Sequence, residues 1–272
     1  MTTRYSRSEL IKGYDKERNA RTNVCIVGVG ALGSWVADAI AKFGLKKITL
    51  IDPDTVEETN LARQQFTNDN IGENKAFAKK RQLENCVPNN STIIEASDEF
   101  VTADNVDIEI PDDADIVFLC VDNAETRLII NDYLVKKGVP FINGGTTEGH
   151  AGEYCFVQPG KTPCLRCFFP PVTEKGNCSD NPDPSIVGNS MMIAAGMVFQ
   201  FQQWITNRAT IGPVFKFDGD RVEPKNKTFD VTTAIQLGKG ASTENAKTET
   251  VPAPFYHIER AFKKGCICEQ KR

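Results

Sequence analysis

Histidine is nearly absent from this chain, which has only His150 and His257 among its 272 residues. Neither lies in a recognisable motif, so hydride transfer and Ser–His hydrolysis are disfavoured and both residues read as structural. No apolar run reaches the roughly 18 residues of a membrane span, and the polar start MTTRYSRSEL does not read as a signal peptide. A cationic excess is lacking too. Lys and Arg number 32 against 36 Asp and Glu, which leaves a net charge of -4 and a pI near 5.4. That balance argues against nucleic acid as a bulk electrostatic partner. Cysteine, by contrast, is abundant. Nine is an odd number, so a complete set of intramolecular disulfides is excluded, and the clustering points to metal or thiol chemistry in a reducing cytoplasm.

A chain of this length can bury a substantial core in one large domain or two small ones. Ser6-Arg7-Ser8-Glu9 reads as a capping box opening a short helix that runs to about Glu17, with Leu10 and Ile11 as its apolar contacts. Asn23 to Val27 and Lys47 to Ile51 predict buried strands, and Ser91 to Ile94, Ile116 to Cys120 and Phe141 to Asn143 predict three more. Apolar residues at helical spacing fill Ala31 to Phe43, and further helices are expected over Glu73 to Cys86 and Asn123 to Lys137. Strand and helix alternate, which predicts an α/β fold with a mostly parallel sheet and right-handed crossovers.

The later part reads differently. Gly149 to Val157 predicts an antiparallel strand, and Ser185 to Ile205 a long buried helix carrying Met191, Met192 and Met197. Val214 to Phe217 and Thr228 to Val231 would pair as a hairpin across Asp218-Gly-Asp220, with a mobile Gly238 to Glu249 and a short helix over Pro254 to Lys264 to follow. Cys25, Cys86, Cys120 and Cys155 read as core residues. There is no internal repeat. We divide the chain into an N-terminal helical arm (1–22), a nucleotide-binding half (23–147) and a second half of the same domain (148–272).

The chemistry concentrates between Val24 and Lys75. Gly28-Val-Gly30-Ala-Leu-Gly33 follows a strand and opens a helix, and Asp52 stands at the end of the next strand, about 20 residues on, where it suits a ribose hydroxyl pair. A dinucleotide's pyrophosphate needs little further cation, whereas a triphosphate needs a great deal. Arg63, flanked by Asn60 and Gln64 on one turn, and Lys75, at a helix start after Ile71-Gly72, supply that charge. Asp122-Asn123 follows the strand ending at Cys120, at the sheet edge where such folds bind ligands; Asp122 suits a magnesium ion beside the phosphates, a helix cap, or both. A nicotinamide oxidoreductase is the rival from another class. It leaves Arg63, Lys75 and both cysteine pairs unexplained.

Taken together, Arg4-Tyr-Ser-Arg7, Gly28 to Gly33, Asp52-Pro-Asp54 through Arg63-Gln64, Gly72-x-x-Lys75 and Asp122-Asn123 resemble the ThiF/MoeB/HesA family, prokaryotic relatives of ubiquitin-activating enzymes. The resemblance spans about Arg4 to Met197 and implies a Rossmann-like sheet with an antiparallel C-terminal extension. It implies a homodimeric, ATP- and Mg²⁺-using adenylyltransferase that activates the C-terminal Gly-Gly carboxylate of a ubiquitin-like sulfur carrier. Its ATP would rest on Gly28, Gly30, Gly33, Asp52, Asp54, Asn60, Arg63, Gln64, Lys75, Asp122 and Asn123, and the second arginine of the N-terminal pair, Arg7, would reach the partner subunit's ATP. The second half, 148–272, would bind carrier and zinc. Cys164-x-x-Cys167 and Cys266-x-Cys268 resemble the family's Cys₄ zinc site, although the second pair is one residue shorter than usual and about 100 residues away. Cys178, in the polar segment Gly-Asn-Cys-Ser-Asp, would be the reactive thiol. A tRNA-modifying dehydratase branch of the superfamily is a second rival, disfavoured by the acidic pI and the cysteine pairs.

Overall fold

Runs of β-branched residues with both faces apolar form the strands at the centre of this molecule, because a parallel sheet is covered on both sides. The computed structural model describes residues 4–87, 91–147, 151–168, 186–208, 214–218, 255–258 and 266–268. The strands are β1 (Asn23–Val27), β2 (Lys47–Ile51), β3 (Ile93–Ser97), β4 (Ile116–Leu119), β5 (Phe141–Thr147), β6 (Ala151–Val157), β7 (Val214–Asp218) and β8 (Phe255–Ile258). They lie in one sheet in the order β3-β2-β1-β4-β5-β6-β7-β8. The first five are parallel to one another, and β6, β7 and β8 add on antiparallel. The helices are α1 (Lys16–Asn19), α2 (Gly33–Ile40), α3 (Lys75–Cys86), α4 (Val106–Glu109), α5 (Ala124–Lys137), α6 (Leu165–Phe168) and α7 (Val187–Ile205).

Alternation along each strand separates two cores. Val24 and Ile26 of β1 point to one face, where α2, α3 and α7 bring Val36, Ile40, Ala76, Leu83, Met197 and Phe201. Cys25 and Val27 point to the other, where α4, α5 and α6 bring Val106, Ile130, Leu134 and Leu165. The first core is closed by backbone-level contact: a Cβ on Gly144 of β5 would meet the Met197 sulfur at 2.2 Å, and one on Gly196 would meet the Tyr154 ring at 2.1 Å.

Several expectations need correction. The helix expected from Ser6 to Glu17 is two pieces, a 3-10 turn over Ser8–Leu10 and α1, because Gly13 takes a φ of 91° between them and Asp15 caps a new start through Glu17 and Arg18 N–H. Met197 is buried as expected, but Met191 and Met192 are exposed, since α7 is covered on one side only among the described residues. Cys86 is exposed at the end of α3, whereas Cys25 and Cys155 are buried. The helix expected over Pro254 to Lys264 contains a strand instead, β8, which pairs with β7 and takes the place expected for Thr228 to Val231. Thr228 to Val231, Gly238 to Glu249, His150 and Cys178 lie outside the described residues; His257 lies in β8, opposite Phe215.

Candidate functional site

Strand order reverses direction between β1 and β4, and the turns that leave β1, β2 and β4 meet there. Gly28 ends β1 with a φ of 85°, and a Cβ on it would lie 2.7 Å from the Cys120 carbonyl. Gly33 is tighter still, because its Cβ would fall 1.8 Å from the Gly28 carbonyl oxygen. The fold itself requires these two glycines. Gly30 is different: the nearest atom to its Cβ would be Gln64 Nε2, at an ordinary 3.8 Å. The space above Gly30 suits an approaching phosphate, and no side chain caps the start of α2 at Leu32. Gln64 is buried and its Oε1 has no hydrogen-bond partner, an arrangement that costs about 1–3 kcal/mol and calls for a donor from a ligand.

Asp52, at the end of β2, is buried and braces this turn. Its Oδ2 accepts from Val29 N–H at 2.6 Å and its Oδ1 from Asp54 N–H at 2.9 Å. Burial raises its pKa above the usual carboxylate value, against the opposing pull of Lys75 and of those two N–H groups. Asn74 joins this strand end to α3: its Oδ1 caps the helix while its Nδ2 donates to the Asp52 and Asp54 carbonyls, at 2.7 and 3.1 Å. The cap sets Lys75 at the first helical position, its side chain 9% exposed and its Nζ 2.7 Å from Asp54 Oδ2. Asn60 Oδ1 accepts from Glu57 N–H, and its carbonyl accepts from both Arg63 and Gln64 N–H, so cation and amide hang on one turn. Arg63 Nη1 donates to the Thr59 carbonyl at 3.0 Å, and the Arg63 carbonyl accepts from Trp35 Nε1 at 3.1 Å.

After β4, Asp122 is exposed and the cap of α5 is Asn123, whose Oδ1 accepts from Thr126 N–H at 2.7 Å. Capping is thus taken from Asp122, and its carboxylate stands outside the helix. Arg127, one turn into α5, donates to the Val121 carbonyl, to Asn143 Oδ1 and to the Gly144 carbonyl at 2.8 Å. It ties the loop bearing Asp122 to β5. Burial lowers its pKa, but a guanidinium stays charged. Arg7 is exposed on the N-terminal arm.

The four cysteines of the two pairs also converge, with all four sulfurs within 4.8 Å of one another. Cys164 Sγ lies 3.4 Å from Cys266 Sγ, and Cys167 Sγ 3.5 Å from Cys268 Sγ. Around a tetrahedral zinc, with bonds of about 2.3 Å, sulfurs stand about 3.8 Å apart, so this donor set fits zinc. The C-x-C spacing of the second pair is no obstacle. Burial pushes the Cys164 thiol up to about 11 and raises Cys268 as well, whereas at Cys266 burial is outweighed by the Cys268 N–H and the neighbouring thiols, which bring it below the usual thiol value; a bound cation would favour the thiolate at all four. The first pair is fixed to α5: Leu165 N–H donates to buried Asn131 Oδ1 at 2.9 Å, and Arg166 forms a two-point ion pair with Asp132 at 2.6 and 2.5 Å.

The ThiF family model matches residues 5–236. The chain belongs to the ThiF family. A sulfur carrier protein ThiS adenylyltransferase of Bacillus subtilis (strain 168) is 35% identical over 282 residues, covering 98% of this chain and 78% of that protein. A ubiquitin-like modifier-activating enzyme 5 of Drosophila grimshawi is 34% identical over 176 residues, or 61% of this chain and 44% of that protein, so the match spans less than half of that enzyme. The crystal structure of E. coli MccB with ATP superposes with a TM-score of 0.71 at 24% identity, covering 82% of this chain and 70% of that one. At that identity the likeness speaks to the fold. As an enzyme, the chain falls with the adenylyltransferases and activating enzymes its relatives are named for.

For this ThiF-family chain, sequence reasoning missed Asn74, Arg127 and Lys79. Asn74 had a usable signal, an Asn immediately before a helix. Long cations on helices ordinarily read as surface residues, and the partners that bury them come from tertiary packing.

Proposed function

We propose that this chain adenylates the C-terminal glycine carboxylate of a ubiquitin-like sulfur-carrier protein of the ThiS kind, ending in Gly-Gly. The observation that carries the reading is a glycine turn left uncrowded at Gly30, with the turn that bears Arg63 and the helix start that bears Lys75 at the same sheet edge. The relative acting on ThiS, similar over nearly the whole chain, supports the choice of carrier. ATP is the second substrate. One carboxylate oxygen bonds to the α-phosphorus while the bond from that phosphorus to the bridging oxygen of the β-phosphate breaks, and pyrophosphate leaves with the electron pair. The attacking group is already ionised at pH 7, so no general base is needed, in keeping with the scarcity of histidine. Repulsion between anions is the obstacle, and positioned cations remove it while stabilising charge in the transition state.

In this reading Gly30 and the start of α2 receive phosphate, and Asp52 and Gln64 face the ribose. Lys75 leaves Asp54 for the triphosphate, beside Arg63. Asp122 would hold a magnesium ion, which neutralises phosphate charge when bound. Cys164, Cys167, Cys266 and Cys268 would hold a zinc ion that ties segment 266–268 to α6. The enzyme works as a homodimer, with Arg7 reaching the ATP of the partner subunit. Cys178 takes the acyl group from the adenylate as a thioester, releasing AMP and the thiol proton.

The test is pyrophosphate exchange into ATP with purified ThiS as carrier. Exchange should depend on ThiS and vanish when its terminal glycine is removed, with no reduction of NAD. Binding of NAD without binding of ATP would overturn the reading.

A further inference from the structure

Lys79 is a lysine with no exposed surface, an expensive placement for an ammonium, and the chemistry above makes no use of it. It lies on α3 one turn beyond Lys75, on the same helical face. Its Nζ donates to the Gln65 carbonyl at 2.7 Å, pairs with Asp38 Oδ1 of α2 at 3.1 Å, and stands 5.2 Å from the centre of the Phe66 ring. Gln65 N–H in turn donates to Ser34 Oγ at 3.0 Å, and the Arg63 carbonyl accepts from Trp35 Nε1. Three side chains from α2 and α3 therefore hold the main chain of Arg63-Gln64-Gln65 from both ends. The backbone so held carries the cation Arg63 and the amide of Gln64, whose Oε1 has no partner and whose Nε2 lies 3.8 Å from where a Cβ on Gly30 would sit.

We propose that Lys79 is a positioning residue for ATP, locking the 63–65 turn so that Arg63 and Gln64 stand at a fixed height above the glycine turn. The inference rests on the adenylation reading. A purely structural lysine would stabilise the packing of α2 on α3 and leave nucleotide affinity alone once the protein is folded. A positioning lysine acts through Arg63, so its effect on ATP must disappear when Arg63 is gone.

The experiment is MgATP binding by calorimetry on the intact chain, as a double-mutant cycle. Lys79→Met, close in volume and lacking the ammonium, should weaken MgATP binding about tenfold in the native background and less than twofold in an Arg63→Ala background. Equal losses in both backgrounds, or no loss in the native one, would overturn the proposal. If Arg63→Ala alone leaves MgATP affinity unchanged, the adenylation reading itself has failed, which is a separate outcome. Should Lys79→Met not fold, Ser34→Ala, which strips the acceptor from Gln65 N–H on the same turn, carries the cycle with the same expectations. Asp38→Asn keeps the bond from Lys79 to the Gln65 carbonyl and should leave binding within twofold; a tenfold loss there would assign the effect to the ion pair and overturn the turn-locking account.

Discussion

The glycine-turn edge of the sheet and the four-cysteine cluster, built from α6 and the 266–268 segment, are held together by different means. At the edge, the side chains are fixed by neighbours the folded core already supplies: Asp52 braces Val29, Asn74 caps α3, and Arg127 ties the loop after β4 to β5. In the cluster, two of the four sulfurs come from a segment 102 positions beyond Cys164, and the buried thiols facing one another offer only weak hydrogen bonds. The cradle is a consequence of folding. The cluster joins two distant segments, and a metal ion is the agent that its donor set fits.

The largest effect that would break this contrast concerns the metal. Freshly purified protein should contain about one zinc per chain, and Cys164→Ser should lose it. Limited proteolysis should then cut the 266–268 region far faster while MgATP binding stays within a few-fold of native. Loss of ATP binding in step with the metal would show that the two regions are one cooperative unit. Protein free of zinc before any treatment would reject the Cys₄ site and favour thiol chemistry at Cys266 and Cys268.

Next in size are the charges of the edge. Arg63→Ala, Lys75→Ala and Asp122→Ala should each lower carrier-dependent pyrophosphate exchange by about 10²-fold or more, the scale of one lost charge-stabilising contact. Zinc content should not move. Near-native exchange in all three variants would place the site elsewhere.

A smaller, sharper pair separates fold from ligand within the glycine turn. Gly33→Ala puts a methyl group 1.8 Å from the Gly28 carbonyl and should destabilise the protein by a few kcal/mol in a denaturant titration. Gly30→Ala meets only Gln64 Nε2 at 3.8 Å, so it should fold normally and bind MgATP about tenfold more weakly. If Gly30→Ala instead loses stability and keeps its affinity, the room above that residue is packing space rather than a phosphate seat.

Those glycines mark what could be read from sequence. The runs Asn23–Val27 and Lys47–Ile51 form strands with the bounds expected, because a buried parallel strand leaves a continuous apolar signature. Gly30, Arg63 and Lys75 stand out in the sequence because local turns present them, and the structure sets those turns at the same edge of the sheet. Strand β8 was not, since its pairing with β7 is long-range and Pro254 to Lys264 has no strand alternation strong enough to outweigh helical propensity. Cys86 was misplaced because a helix end ceases to be core within one turn. Lys79 did leave a trace: Lys75, Lys79 and Leu83 share one face at intervals of four, so the lysine sits in the buried stripe of α3.

The smallest expected effect on adenylation belongs to Cys178, and it separates the two halves of the mechanism. Forming the adenylate requires neutralised phosphates, a role that the proposed mechanism gives to Arg63 and Lys75. Passing the acyl group onward requires a thiolate. Four cysteines form the cluster whose donor set fits a metal ion, and burial pushes Cys120 and Cys155 each up to about 12 and raises Cys25 further, so in the proposed mechanism none of these seven thiols is the nucleophile. Exposed Cys86 closes a helix whose opposite end carries Lys75. Cys178, in its polar sequence context, is left for the transfer. Cys178→Ala should therefore keep pyrophosphate exchange within about twofold of native, since no charge near the phosphates changes. The same variant should lose any thiol-labile covalent adduct with the carrier on a non-reducing gel. An adduct that persists in Cys178→Ala and disappears in Cys86→Ala would move the nucleophile to α3. With no adduct in the native protein either, the enzyme releases its adenylate directly to a separate sulfur donor.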